Sequence, residues 1–120
     1  SLGLETNYKE IEDLCNEFIS NGVTIVCSYP KKGNSFVFPA SYDGVVKVTS
    51  EWMCKDEKVV TLNKDILLFG ANPFSNVKSV AGSSVAVAKF TKEFCSYLKK
   101  GFKKDEILDE FFKRIIDESK

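Results

Sequence analysis

Apolar residues recur at helical spacing from Tyr8 to Asn21, where Tyr8, Ile11, Leu14, Cys15, Phe18 and Ile19 fall on one side of a 3.6-residue period. The spacing predicts an amphipathic helix, with Asn7 as its cap, Glu10 three residues on as in a capping box, and Gly22 as a left-handed stop. The period then changes. Val23-Thr24-Ile25-Val26-Cys27 is a short β-branched apolar run, the pattern of a strand buried on both faces of a parallel sheet. A polar turn from Tyr29 to Ser35, then Phe36-Val37-Phe38-Pro39-Ala40, lead to a second run, Val45-Val46-Lys47-Val48-Thr49, and nothing in this crossover has helical spacing. Val59 to Leu62 and Ile66 to Phe69, separated by Asn63-Lys64-Asp65, read as a hairpin or a pair of short strands, and Asn72-Pro73-Phe74 breaks the chain again. Ser83 to Lys100 returns to helical spacing, with Val87, Phe90, Phe94, Cys95 and Leu98 on one side and Gly101 as the stop. A last helix, near Asp105 to Glu118, carries a wide stripe of Ile107, Leu108, Phe111, Phe112, Ile115 and Ile116. The pattern predicts an α/β domain, a small, mostly parallel sheet of about four strands flanked by helices.

Composition narrows the function. The 120 residues, 43% of them hydrophobic, suit one domain over 1–120 with a single core. Seventeen basic residues balance seventeen acidic ones, so no net field recommends nucleic acid or an anionic membrane. Lys99, Lys100, Lys103 and Lys104 are the one basic concentration; they suit the C-terminal dipole of a helix and solubility, with a docking surface as the lesser alternative. No apolar run reaches the ~18 residues of a membrane span, and there is no signal-peptide pattern. Cys15, Cys27, Cys54 and Cys95 form no C-x-x-C pair and the chain has no histidine, so neither a metal nor another cofactor is expected. Cys15, Cys27 and Cys95 fall on apolar faces, which predicts buried free thiols, a reducing compartment and a cytoplasmic location. The dispersed glycines make no phosphate-binding loop, and the carboxylates, mostly on solvated helix faces, propose no acid/base pair.

The candidate chemistry lies in Ala81-Gly82-Ser83-Ser84-Val85-Ala86, a small-residue turn that sets a serine at the mouth of a helix. A serine hydroxyl is a weak nucleophile until a base takes its proton, and the usual base, histidine, is missing. Taken alone, the string is that of a helix cap or a close-packing contact. In order with Ser1-Leu2-Gly3, Gly22 to Cys27, Phe38-Pro39-Ala40-Ser41-Tyr42 and Val45 to Thr49, it resembles the C-terminal part of the catalytic domain of subtilisin-like serine proteases, over most of the chain. The resemblance implies a partial subtilisin-like fold, with Ser84 at the nucleophile's position and Ser1, Leu2 and Gly3 at the strand end that pairs with an extended substrate. Val87 and Ala88 stand where the family has a Ser/Thr-Pro pair. Pro30 and Lys31 stand at the glycine and asparagine of the family's oxyanion turn, a role that Asn34 recovers only through a local shift. The family carries its aspartate and histidine in a preceding half, so the resemblance also implies a missing half-sheet and an opened edge that invites self-association. Three functions follow as expectations. The first is a degenerate serine-peptidase-like domain, inactive as this chain, that binds peptide or protein. The second is part of a working endopeptidase with Ser84 as nucleophile. The third is a small α/β interaction module, with Trp52 and Met53 as an apolar contact.

Overall fold

The computed structural model describes residues 3–30, 36–51, 58–77 and 81–115. Three helices and four strands follow in the order α1 (Lys9–Ser20), β1 (Val26–Ser28), β2 (Val46–Ser50), β3 (Val60–Asn63), β4 (Leu68–Ala71), α2 (Ser83–Lys99) and α3 (Lys104–Phe112). The strands form one sheet in the order β1-β2-β4-β3. β1 and β4 both run parallel to β2, while β3 returns antiparallel to β4 through the predicted hairpin. This is the small, mostly parallel α/β sheet that the hydrophobic pattern predicts.

Alternation along the strands divides the core in two. On one face Val46, Val48, Phe69 and Ala71 pack against Ala86, Phe90 and Phe94 of α2 and Ile107, Leu108 and Phe111 of α3. Phe69, Phe90 and Phe111 meet as a mutual aromatic cluster, with ring centroids 5.3 Å (69–90), 5.3 Å (90–111) and 6.0 Å (69–111) apart. All three are fully buried, so truncating any one to alanine costs about 3–5 kcal/mol. Toward the other face, a smaller cluster joins Cys15 of α1 to Cys27, Ala40, Tyr42 and Val45. The Phe38–Pro39 peptide is cis and opens the turn that carries Ala40 and Tyr42 into this cluster.

Several expectations need correction. Tyr8, not Asn7, holds the N-cap position of α1, and Asn7 Oδ1 instead accepts from the Tyr42 hydroxyl at 2.9 Å. The first strand begins at Val26, because Gly22 and Val23 are spent closing α1: their N–H groups donate to the carbonyls of Ile19 and Phe18, each at 3.0 Å. It is also an edge strand, half-buried at Val26 and Ser28, where a strand covered on both faces was expected. Cys15 and Cys27 are buried thiols as predicted, but Cys95 is exposed, lining an open groove between β1 and the end of α2. The last helix ends at Phe112, where the chain turns so that the Arg114 carbonyl can accept the Thr61 N–H at 2.6 Å. Trp52, Met53 and Cys54 lie outside the described residues. No helix among the described residues is long and apolar enough to cross a membrane.

Candidate functional site

Two places bear on function, the start of α2 and the free edge of β1. At the first, β4 leads into a loop whose ends are pinned together by a Phe74–Ala81 bridge and by Gly82 N–H donating to the Pro73 carbonyl at 2.9 Å. Gly82 then caps α2 with φ 122° and ψ −168°, a backbone conformation open essentially to glycine alone. Its carbonyl accepts the first helical N–H groups, from Val85 and Ala86, both at 3.1 Å. This geometry sets Ser83 and Ser84 in the opening turn, with the Ser84 side chain exposed to solvent. Among the described residues no side-chain hydrogen bond reaches the Ser84 hydroxyl, so nothing there takes its proton. Lys89, further along the same helix, is engaged elsewhere: it donates to Asn72 Oδ1 at 3.2 Å and to the Phe74 carbonyl, bracing the loop against α2.

At the sheet's other landmark, the register decides which backbone groups are free. Ile25 C=O accepts from Val46 at 2.9 Å and Tyr29 N–H donates to Val48 at 2.9 Å, so residues 25, 27 and 29 face β2. The N–H and C=O groups of Val26 and Ser28 therefore point away from the sheet, and among the described residues no hydrogen bond takes them up. Beside them lies a groove of about 380 Å³, floored by Val26, Phe94 and Leu98 and bounded by Thr24, Cys95 and Lys104. The opposite edge is closed. There Thr61 N–H donates to Arg114, Thr61 Oγ1 donates to the Phe111 carbonyl at 2.7 Å, and Ile115 bridges Thr61. Among the described residues, one edge of the sheet is thus covered by the chain itself and the other presents unpaired backbone beside apolar side chains.

Of the residues singled out from sequence, Ser84 and Gly3 are described, while Ser1, Leu2, Lys31 and Asn34 lie outside the described residues. Gly3 is exposed and precedes Leu4, whose N–H and C=O pair with Phe38 at 2.9 and 2.8 Å. Ser84 lies in the first turn of α2, whereas Gly3 precedes α1 outside any helix or strand. Two arrangements went unforeseen. Glu93 on α2 holds Arg114 in a two-pronged pair, at 2.7 and 3.2 Å, and also accepts the Val59 N–H at 2.8 Å. Lys47, inside a β-branched run, is buried with its Nζ on two carbonyls. The signal for Lys47 was present: a charge within a strand expected to be covered on both faces has to be answered by something. Comparison with protein families, with characterised proteins and with solved structures finds no match to this chain.

Proposed function

We propose that this chain is a degenerate subtilisin-like domain that holds an extended peptide along the free edge of β1 and does not hydrolyse it on its own. The order of elements carrying the motifs supports the first part: a helix, a parallel strand, the Phe38-Pro39-Ala40-Ser41-Tyr42 turn, a second parallel strand, and a further parallel strand leading to Gly82-Ser83-Ser84 at the start of α2. The observation that carries the binding claim is the outward row of Val26 and Ser28 backbone groups beside the groove. Strand addition draws affinity from such main-chain bonds and specificity from pockets that take alternate side chains. Lys104 on the groove wall, with exposed Lys99, Lys100 and Lys103 around the same turn, favours a partner whose apolar strand ends in acidic residues.

The test is fluorescence anisotropy with labelled extended peptides that alternate apolar and small residues and end in two glutamates. Binding is expected, weakened by salt and by Lys104→Glu. Ser28→Pro removes a donor that faces away from β2 and leaves the β1–β2 ladder intact. It should therefore weaken binding at least about tenfold, roughly 1.4 kcal/mol, with unchanged circular dichroism. Equal affinity for the wild type and Ser28→Pro would overturn the edge reading. So would sedimentation showing a dimer that the peptide fails to dissociate, which would make a second copy the occupant.

The exposure of the Ser84 hydroxyl favours a second reading, in which another segment supplies the base and Ser84 is a nucleophile. A fluorophosphonate probe separates the two. No labelling at Ser84 is expected of this chain, and fast stoichiometric labelling would establish the protease reading in its place.

A further inference from the structure

β2 is an interior strand, with β1 on one side and β4 on the other, and Lys47 stands within it only 6% exposed. Among the described residues no carboxylate forms an ion pair with it. Its Nζ donates instead to the carbonyls of Val45 and Ile66, both at 3.0 Å. The nitrogen's bond to Cε and these two hydrogen bonds fill three of its four tetrahedral positions. A neutral amine has two hydrogens and one lone pair, so the two carbonyls can absorb both hydrogens and leave the lone pair uncommitted. Lys47 also lines a cavity of about 360 Å³, together with Tyr29, Phe36, Ser41, Asp43 and Asp65. The titratable groups around the amine are Cys27 on β1, Asp43 before β2 and, across the cavity, Tyr29 and Asp65. Burial pushes the Lys47 pKa below the ordinary lysine value, against the opposing field of Asp43.

We infer that Lys47 is a nucleophilic amine that condenses with a small uncharged aldehyde or ketone admitted to this cavity. The two carboxylates in the lining disfavour an anionic substrate, and the mixed walls suit a compact molecule with one polar group. In the reaction the nitrogen lone pair adds to the carbonyl carbon, and a proton passes from nitrogen to the carbonyl oxygen to give a carbinolamine. That hydroxyl then leaves with a second proton as water, and an imine forms without oxidant or reductant. On protonation, the imine nitrogen keeps one N–H for the Val45 carbonyl. The Ile66 carbonyl, on a turn where Ile66 is 43% exposed, takes water instead.

The experiment treats the intact chain with butyraldehyde near neutral pH, fixes any imine with borohydride, and maps the alkylated lysines by mass spectrometry. Lys47 is expected to label faster than exposed Lys64, because its two hydrogens are held by carbonyls and its lone pair is left uncommitted toward the cavity. Asp43→Asn removes the field that favours the ammonium and should speed labelling at Lys47 while leaving Lys64 unchanged. A Lys47 rate equal to or below that of Lys64 would overturn the inference. So would a rate that rises in step with sub-denaturing urea, since that assigns the reaction to transiently unfolded chain.

Discussion

Lys47 is a buried amine on the face of β2 opposite Val46 and Val48, and its charge has consequences for stability as well as chemistry. Burial lowers its pKa in the folded protein below the 10.5 of an unfolded lysine. Below the folded value both states carry the proton and the folded state bears the full desolvation cost. Between the two values the unfolded state binds more protons, so stability rises with pH. Urea denaturation of wild type and Lys47→Met from pH 6 to 11 should show the wild type gaining on the variant within that window, by up to about 1.4 kcal/mol per pH unit. A flat or falling difference would contradict the buried-amine assignment. Gly70 is the second informative residue. A Cβ there would lie 2.7 Å from the Cβ of Glu51, the residue just after β2, so Gly70→Ala should cost about 1–3 kcal/mol by thermal denaturation. The run expected from Ile66 to Phe69 forms a strand from Leu68 instead. Gly70 marks the close approach of Glu51 to β4, and the strand continues to Ala71.

At the scale of elements, what could be read from the chain was whatever rests on local periodicity. The cores of all three helices follow from apolar spacing, and both Gly22 and Gly101 close their helices as expected, the latter with Phe102 stacked on Tyr97 at 5.2 Å. Boundaries decided by distant partners were not legible. Asn7 is drawn away from its cap by Tyr42, and the end of α3 is set by a bond to Thr61. The Glu93–Arg114 pair belongs to the same class, since nothing local links a residue in α2 to one beyond α3. Its side chains are 16% and 24% exposed, and it ties α2, β3 and the C-terminal segment together. Glu93→Gln should destabilise the domain by about 1–3 kcal/mol. Because the pair holds the segment that covers β3, hydrogen exchange should also quicken at Thr61. Unchanged exchange there would mean that the segment is held by packing alone.

For the whole molecule, the decisive property is the asymmetry of the sheet. Its α/β class and nearly parallel order could be read from the sequence of helix, buried run, buried run, hairpin and helix, but which edge lies open could not. That depends on where the chain beyond α3 returns, and it returns to β3. The candidate site was accordingly legible only in part. The Gly82-Ser83-Ser84 turn stands at the mouth of α2, whereas the groove along β1 arises where that strand meets the end of α2 and the start of α3, far along the chain. An edge strand without charge or proline is one that proteins ordinarily cover, and β1, with the sequence Val26-Cys27-Ser28, has neither. The account therefore turns on whether that edge is vacant until an extended partner fills it. Residue-resolved amide hydrogen exchange by NMR, with and without the acidic-ended peptide, measures this directly. The amides of Val26 and Ser28 should exchange rapidly in the free protein while that of Cys27 is protected, and all three should be protected once the peptide is bound. Protection of Val26 and Ser28 in the free monomer, or continued rapid exchange at both with the peptide saturating, would contradict the account.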